Sequence, residues 1–197
     1  MEERGGARRG PEHELPSGAL LAAAQAGDPA AFRALIARLR PRLYGFLLRM
    51  SRQPEAAEEL VQEALLRLVT RLDTLPQGTC VEAWVFTVAR NLLVSWRRRE
   101  TLGVNKLLQI FATRVATPAP DPLTACEGNE ASVRIERALG DLRPPDRELL
   151  LLAAEGFAPS ELADLLGLRP EAARQRLARA RARLAEALER TPKGGRT

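Results

Sequence analysis

Apolar residues recur at intervals of three and four positions along most of this chain, as they do on the buried face of an amphipathic α-helix. The clearest run is Ala57, Val61, Ala64, Leu65, Leu68 and Leu72. β-Branched residues are scattered and form no strand-like run, whereas leucine and alanine, which favour helices, dominate the apolar positions. The pattern therefore predicts an all-α chain whose cores form by packing helix on helix.

Prolines and capping residues divide this pattern into separate helices. In the first half we expect helices to begin at Ser17, Asp28, Pro41, Pro54 and Val81. In the second half we expect them to begin at Ala131, Pro144, Pro159 and Pro170. Ser17 and Asp28 are expected to cap their helices with the side chain, and Pro41 is expected to lie in the first turn of a new helix.

A proline-rich stretch divides the chain into two helical blocks. Its centre, residues 117–122, reads Thr-Pro-Ala-Pro-Asp-Pro, which cannot form a helix and favours an extended chain. We predict two small helical domains joined by a flexible linker: a disordered tail over 1–16, a first domain over 17–100, the linker over 101–128 and a second domain over 129–191. The apolar segment Lys106–Phe111 can lengthen the preceding helix or dock on another surface, and the sequence leaves both open.

The second block ends in the pattern of a helix-turn-helix, the motif that places a recognition helix in the major groove of DNA. A short helix that begins at Pro159 is followed by Gly167 and by a long helix from Pro170. Gly167 supplies the positive φ that a tight turn needs. Ala163 is small at the point where the two helices must approach closely.

Arginines of the long helix lie on both sides of its apolar stripe, and Glu171 is the only acidic residue between Pro170 and Glu186. The stripe that we expect to be buried is Ala173, Leu177, Ala180, Leu184 and Leu188. A solvated amphipathic helix would normally balance such arginines with glutamates, so we favour DNA binding over a solvent-exposed face. Arginine can read guanine, and glutamine adenine, through paired hydrogen bonds. The residues expected to meet DNA are Arg169, Glu171, Ala172, Arg174, Gln175 and Arg176, with Arg179 farther along.

Composition is compatible with a polyanionic partner and equally with a solvated arginine-rich surface, and it argues against catalysis. The formal net charge is +5 and the pI is about 10.1. Cys80 and Cys126 are far apart and His13 is the only histidine, so we expect neither a zinc site nor a disulfide framework. No nucleophile pair or phosphate-binding loop is visible, and no cofactor is predicted. No segment is apolar for long enough to cross a membrane or to act as a secretory signal, so we expect a cytoplasmic protein without membrane insertion.

Segments of both blocks resemble, in their order and spacing, those of extracytoplasmic-function (ECF) sigma factors, the smallest class of sigma-70-type subunits of bacterial RNA polymerase. The segments that carry the resemblance are Ala57–Arg67, Ala83–Asn91, Arg97–Arg99, Leu142–Arg147, Ser160–Ala163 and Arg176–Arg181. The resemblance covers nearly everything from Asp28 to Leu188. It implies that the first domain is similar to sigma region 2 and the second to sigma region 4.

For the first block, the resemblance implies that the β′ clamp helices of core RNA polymerase dock on Glu59, Gln62 and Glu63, with Leu66 as an apolar anchor. It also implies that the loop Asp73–Cys80 captures a flipped base of the −10 promoter element. The residues implied at this element are Leu75, Gln77, Trp84, Arg90, Asn91, Arg97 and Arg98. Trp84 can stack on a base or belong to the core.

For the second block, the resemblance implies that the helix-turn-helix reads the −35 element of promoter DNA and that the domain meets the polymerase β flap. It further implies an anti-sigma partner. The chain departs from the family's usual residues at Leu65, Val69, Ser95, Arg169, Ala172 and Ala173. These differences bear on the promoter sequence that is read and not on the fold.

Two other functions stay open at this point. A stand-alone helix-turn-helix regulator needs no polymerase, but it leaves the glutamate and glutamine face of the first block unexplained. A helical protein that has lost its DNA function would instead titrate another regulator. A pull-down with core polymerase discriminates the first alternative, because no binding favours a stand-alone regulator, and specific run-off transcription would exclude the second.

Overall fold

All regular secondary structure is helical in the computed structural model, which describes residues 15–110 and 130–190, with side chains for 15–102 and 130–190. The first range contains α1 (Ser17–Gln25), α2 (Pro29–Ser51), α3 (Pro54–Arg71), a 3-10 turn (Leu72–Thr74) and α4 (Val81–Ile110). The second contains α5 (Glu130–Asp141), α6 (Pro144–Ala154), α7 (Pro159–Leu166) and α8 (Pro170–Arg190). The all-α prediction is confirmed. The predicted tail, except for Leu15 and Pro16, and the proline-rich centre of the linker lie outside the described residues.

The two predicted side-chain caps have different outcomes. Asp28 caps α2 as expected, because its Oδ1 accepts hydrogen bonds from the N–H groups of Ala30 at 2.8 Å and Ala31 at 3.3 Å. The prediction for Ser17 is wrong: the residue begins α1, makes no cap and is buried. Its hydroxyl accepts a hydrogen bond from Arg38 at 3.2 Å, so a partner far along the chain decides its role.

Pro41 does not open a new helix, because α2 continues through it from Pro29 to Ser51. The apolar stripe explains this difference, since Leu35, Leu39 and Leu43 stay fully buried on one face across the proline. Each buried leucine contributes about 1.5–3 kcal/mol. Pro41 and the preceding turn at Ala37 are exposed, so water can bond the carbonyl that the proline leaves without a donor.

α4 is longer than predicted and runs to Ile110. This observation decides how the apolar segment that follows residue 100 is used: residues 106–110 lengthen the helix, and Phe111 lies outside the described residues. The helix therefore crosses the boundary that we placed between the first domain and the linker. Prolines come only later in the sequence, so nothing local stops the helix at residue 100.

The two blocks pack directly against each other. Phe157, in the turn between α6 and α7, stacks edge-on against Phe86 of α4, with ring centroids 5.3 Å apart. Phe86 makes the same kind of contact with Phe46 of α2 at 5.5 Å. Such aromatic pairs contribute about 0.5–1.5 kcal/mol beyond the area they bury. The buried residues of both blocks consequently form one continuous hydrophobic cluster.

Ion pairs surround this aromatic contact. Arg42 of α2 donates to the Glu155 carboxylate and to the Glu155 backbone carbonyl, each at 2.8 Å, and also lies 4.0 Å from Glu82. Arg49 of α2 pairs with Glu136 of α5 at 2.7 Å. These pairs are only partly exposed, so water weakens them less than it weakens an ordinary surface pair.

Arg147 holds the turn between α5 and α6. Its buried guanidinium donates to the carbonyls of Leu139 at 2.7 Å, Gly140 at 2.6 Å and Leu142 at 3.0 Å. Burial, together with the neighbouring charges of Arg52 and Arg97, lowers the pKa of Arg147. The bonds satisfy carbonyls at the end of α5 that have no partner within the helix.

Candidate nucleic-acid interface

The helix-turn-helix has the local geometry that the sequence predicts. Gly167 ends α7 in the left-handed region, with φ 64° and ψ 39°. Its N–H donates to Asp164 at 3.3 Å, and the N–H of Leu168 donates to Ala163 at 2.8 Å, so the last carbonyls of α7 are bonded. Ala163 is almost completely buried where α7 meets α8. The predictions for Gly167 and Ala163 are confirmed.

The buried face of α8 leaves its arginines in solvent. Ala173, Leu177 and Ala180 are buried as predicted. Near the end of the helix Ala187 is the buried residue, whereas Leu184 and Leu188, which we expected there, are only half-buried. The predicted DNA-contacting residues that are exposed are Arg169, Glu171, Arg174, Gln175, Arg176 and Arg179, while Ala172 is half-buried.

Ion pairs hold Arg174 and Arg183 of α8. Arg174 pairs with Glu171 at 2.7 Å, and both side chains are more than half exposed, so this pair is weak. Arg183 donates to the buried carboxylate of Asp146 at 2.5 Å and thereby ties the middle of α8 to the first turn of α6. The sequence pattern did not indicate this contact, because the two residues lie 37 positions apart.

A cleft of about 570 Å³ is lined mainly by the start of α6 and by α8, and Arg90 of α4 also reaches it. Its polar lining is mostly basic and comprises Arg90, Arg143, Arg176, Arg179 and Arg183 with Asp146 and Glu148. The structure therefore brings the predicted −10 residue Arg90 to the same opening as three arginines of α8. Nothing in the sequence pattern links these positions.

The predicted −10 residues of α4 do not form one free face. Asn91 and Arg98 are exposed. Arg90 is instead held by Glu148 of α6, with its Nε 2.9 Å from the carboxylate. Arg97 donates to the carbonyl of Met50 at 2.6 Å, near the end of α2. Burial lowers the pKa of Arg97, and the nearby charge of Glu148 acts in the opposite direction.

The predicted −10 residues in and just after the loop between α3 and α4 differ in their exposure to solvent. Leu75 is only 9% exposed and belongs to the hydrophobic cluster. Gln77, at the tip of the loop, is exposed. Trp84, in the first turns of α4, is half-buried and packs against the same cluster. Of the residues considered for this loop, Gln77 is therefore the side chain that faces solvent.

A groove of about 550 Å³ runs along α3 on the first block. Glu59 and Gln62 are exposed along it, and Glu63 pairs with Arg67 at 2.9 Å, as the spacing of four residues predicts. Leu66 is 57% exposed. The groove thus combines an exposed apolar side chain with a polar rim, a combination typical of a docking surface.

Sequence reasoning missed several residues of this surface. Leu92 and Arg99 of α4 line the groove, together with Leu60 of α3. Val69, one helical turn beyond Leu66, is 47% exposed and adds a second exposed apolar side chain beside Leu66 on α3. The exposed valine could have been found from its spacing to Leu66, but the α4 residues could not, because only tertiary packing brings them to α3.

The described residues contain no group of histidine, cysteine or acidic side chains placed to hold a metal ion. Over residues 15–110 and 130–190, no helix has both the length and the hydrophobicity that crossing a membrane requires.

Comparison with known proteins points to one family. The family model described as Sigma-70 region 2 matches residues 35–102, and the one described as Sigma-70, region 4 matches residues 132–184. The chain is 33% identical over 165 residues to RNA polymerase sigma factor CarQ of Myxococcus xanthus, covering 82% of this chain and 91% of that protein. It is 34% identical over 168 residues to ECF RNA polymerase sigma factor SigF of Caulobacter vibrioides, covering 83% and 89%.

The fold is similar to a solved sigma factor, RpoE from Bartonella quintana, in complex with the anti-sigma factor NepR. The TM-score is 0.65 at 28% sequence identity, and the match covers 82% of this chain and 98% of that one. The two family models match the two blocks, region 2 in the first and region 4 in the second.

Proposed function

This chain belongs to the ECF class of the sigma-70 family of RNA polymerase subunits, and we propose that it selects promoters by reading two DNA elements with its two helical blocks. As a sigma factor it binds core RNA polymerase and directs the initiation of transcription. The observation that carries the proposal is that one chain presents both an exposed arginine face on α8 and a separate exposed groove on α3. A stand-alone regulator needs only the first of these surfaces.

The second block reads the −35 element. The first turns of α8 enter the major groove, where Arg174 and Arg176 bond guanine and Gln175 bonds adenine. Arg179, farther along the helix, contacts phosphate and sets the position of the helix on the duplex. Exposure of all four side chains supports this assignment. The same block meets the β flap of polymerase.

The first block reads the −10 element with α4 and the loop before it. Asn91 and Arg98 are exposed and can contact DNA as they stand. Arg90 contributes only after it leaves Glu148 of the second block. The exposed tip at Gln77 receives a base that has left the stack, which lowers the cost of opening the duplex. Leu75 anchors this loop from inside the core and does not touch DNA.

Core polymerase docks on the groove of α3. Leu66 fills an apolar position on the β′ clamp helices, and Glu59, Gln62 and Glu63 bind polar or basic groups around it. The exposure of Leu66 among polar side chains supports this role, because such anchor residues supply most of the affinity at protein interfaces. Polymerase binding also sets the distance between the two DNA-reading surfaces.

The protein catalyses no reaction itself, and it acts in the cytoplasm, where its polymerase is. An anti-sigma factor holds it inactive under some conditions. The similarity to a sigma factor solved with its anti-sigma partner supports this last proposal.

Run-off transcription with purified chain, core polymerase and fragments of the source genome tests the proposal. We expect defined start sites whose upstream sequences share two elements at a constant separation. Core polymerase alone is the control, and a pull-down with core polymerase accompanies the assay. Absence of any start-site preference, with the chain bound to core, would refute promoter selection; absence of core binding would refute the docking assignment.

A further inference from the structure

The loop between α3 and α4 is anchored at its base and open at its tip. Leu75 is buried in the core immediately after the 3-10 turn. Beyond it, the N–H and the hydroxyl of Thr79 both donate to the carbonyl of Pro76, at 3.1 Å and 2.6 Å, and close the tip around Gly78. The φ of Gly78 is 79°, a conformation that suits glycine. The tip between Pro76 and Thr79 therefore has a defined shape and presents Gln77 to solvent.

Gln25, the last residue of α1, holds the base of this loop. Its side-chain amide donates to the backbone carbonyls of Leu72 and Leu75, each at 2.8 Å. These residues lie 47 and 50 positions away in sequence, so the contact joins α1 to the loop across the fold. Both amide hydrogens of the side chain are used, and a side chain without donor hydrogens cannot make either bond.

The two carbonyls mark the point where the chain changes conformation. Leu72 begins the 3-10 turn, and Leu75 leaves it with φ −68° and ψ 130°, which is extended backbone. The N–H of Leu75 already bonds back to Arg71 and Leu72, at 3.1 Å and 3.4 Å. Gln25 adds the bonds on the carbonyl side and so fixes the direction in which the tip leaves the core.

We propose that Gln25 is a positioning residue for base capture, whose amide holds the loop in the shape that receives an unstacked base. This inference rests on the proposed role of the loop at the −10 element. An ordered loop loses less conformational entropy when the base binds, so more of the binding free energy remains for opening the duplex. Gln25 itself lies behind the loop and does not contact DNA.

The test uses holoenzyme and a promoter found by run-off transcription, with a fluorescent adenine analogue placed at successive −10 positions. Gln25→Leu and Gln25→Glu keep the size of the side chain and remove both donors. Gln25→Lys restores donor hydrogens at a similar reach. Gln53→Leu is the matched control, because this exposed glutamine of the same block has no hydrogen bond to the loop among the described residues. Melting temperature and core affinity are measured for every variant.

With two hydrogen bonds lost, we expect the fluorescence rise that reports base unstacking to be about five- to tenfold slower in Gln25→Leu and Gln25→Glu. Gln25→Lys and Gln53→Leu should stay within about twofold of the parent chain, and core affinity should not change. If Gln25→Leu does not fold, the comparison of Gln25→Glu with Gln25→Lys gives the same answer.

Normal unstacking in both Gln25→Leu and Gln25→Glu would overturn the inference. Unstacking in Gln25→Lys that is as slow as in Gln25→Leu would also overturn it. So would a loss of melting temperature and core affinity that accounts for the slower rate. A parent holoenzyme that opens the promoter without unstacking any single −10 base overturns the role of the loop, and the inference falls with it. Slower unstacking with unchanged stability and rescue by lysine supports the inference.

Discussion

The arginines that we propose contact DNA are more available on α8 than on α4. On α8, Arg176 and Arg179 are exposed and have no hydrogen-bond or ion-pair partner among the described residues. On α4, Arg90 is held by Glu148 and Arg97 by the carbonyl of Met50. The proposed −35 surface can therefore meet DNA as it stands, whereas Arg90 must leave Glu148 before it can take its proposed role at the −10 element. An arginine on an outward helical face is thus not always an available one.

The largest effect should come from removing two arginines of the exposed face of α8. Replacing Arg174 and Arg176 by alanine deletes two specific contacts of about 1–3 kcal/mol each, so promoter-dependent initiation should fall about a hundredfold or more. Run-off transcription measures this loss, and core affinity should not change. Arg190→Ala, at the far end of the same helix, is the matched control. Normal initiation by the double variant would show that α8 does not read the promoter.

The docking groove on the first block should give the next largest effect. Replacing Gln62 and Glu63 by alanine removes polar contacts around Leu66 and should weaken core binding about tenfold. Fluorescence anisotropy with labelled chain measures the affinity. Glu58→Ala provides the control, because this exposed glutamate of α3 lines a different depression beside Tyr44. Equal affinities for the two variants would remove the docking assignment.

Arg97 and Arg98 are adjacent on α4 and allow a bonded arginine of the first block to be compared with an exposed one. Arg97→Ala removes a charged donor from a carbonyl near the end of α2, so the free energy of unfolding should fall by about 1–3 kcal/mol. Arg98→Ala removes an exposed side chain and should change stability by less than about 0.5 kcal/mol while weakening −10 binding. Urea unfolding and DNA binding measure the two effects. Equal stability of the variants would mean that Arg97 is not structural.

The smallest effect concerns the contact between the blocks. Glu148→Ala frees Arg90, and the isolated chain should then bind a single-stranded −10 oligonucleotide about two- to fivefold more tightly. Glu136→Ala is the control, because it removes another ion pair between the blocks, that with Arg49, without touching Arg90. Tighter binding by both variants would mean that loosening the blocks matters and the Arg90 pair does not. Unchanged binding by both would contradict any masking of Arg90.

Local chemistry made most of the fold predictable. The turn at Gly167, the cap at Asp28 and the helix starts at Pro54, Pro144 and Pro170 follow from the preferences of single residues and from apolar spacing. Predictions failed where a distant partner decides the outcome. The Ser17 hydroxyl accepts a hydrogen bond from Arg38 instead of capping its helix. The helix continues through Pro41 because the apolar stripe of α2 is buried on both sides of it.

The same distinction applies to the candidate interfaces. The sequence indicated which residues of α3 and α8 face outward, because helical periodicity determines the faces of a helix. It did not indicate that Glu148 binds Arg90, that Leu92 and Arg99 complete the groove of α3, or that Gln25 bonds the loop before α4. These contacts join residues that are far apart along the chain.

By itself, then, the sequence determined most of the helix starts, the turn of the DNA-binding motif and the family to which the chain belongs. The tertiary structure decided which of the charged side chains are free and which are engaged, and how the loop and the two blocks are held. The physical reason is range: backbone preference and helical spacing act over a few residues, whereas a hydrogen bond or ion pair across the fold depends on where packing places both partners.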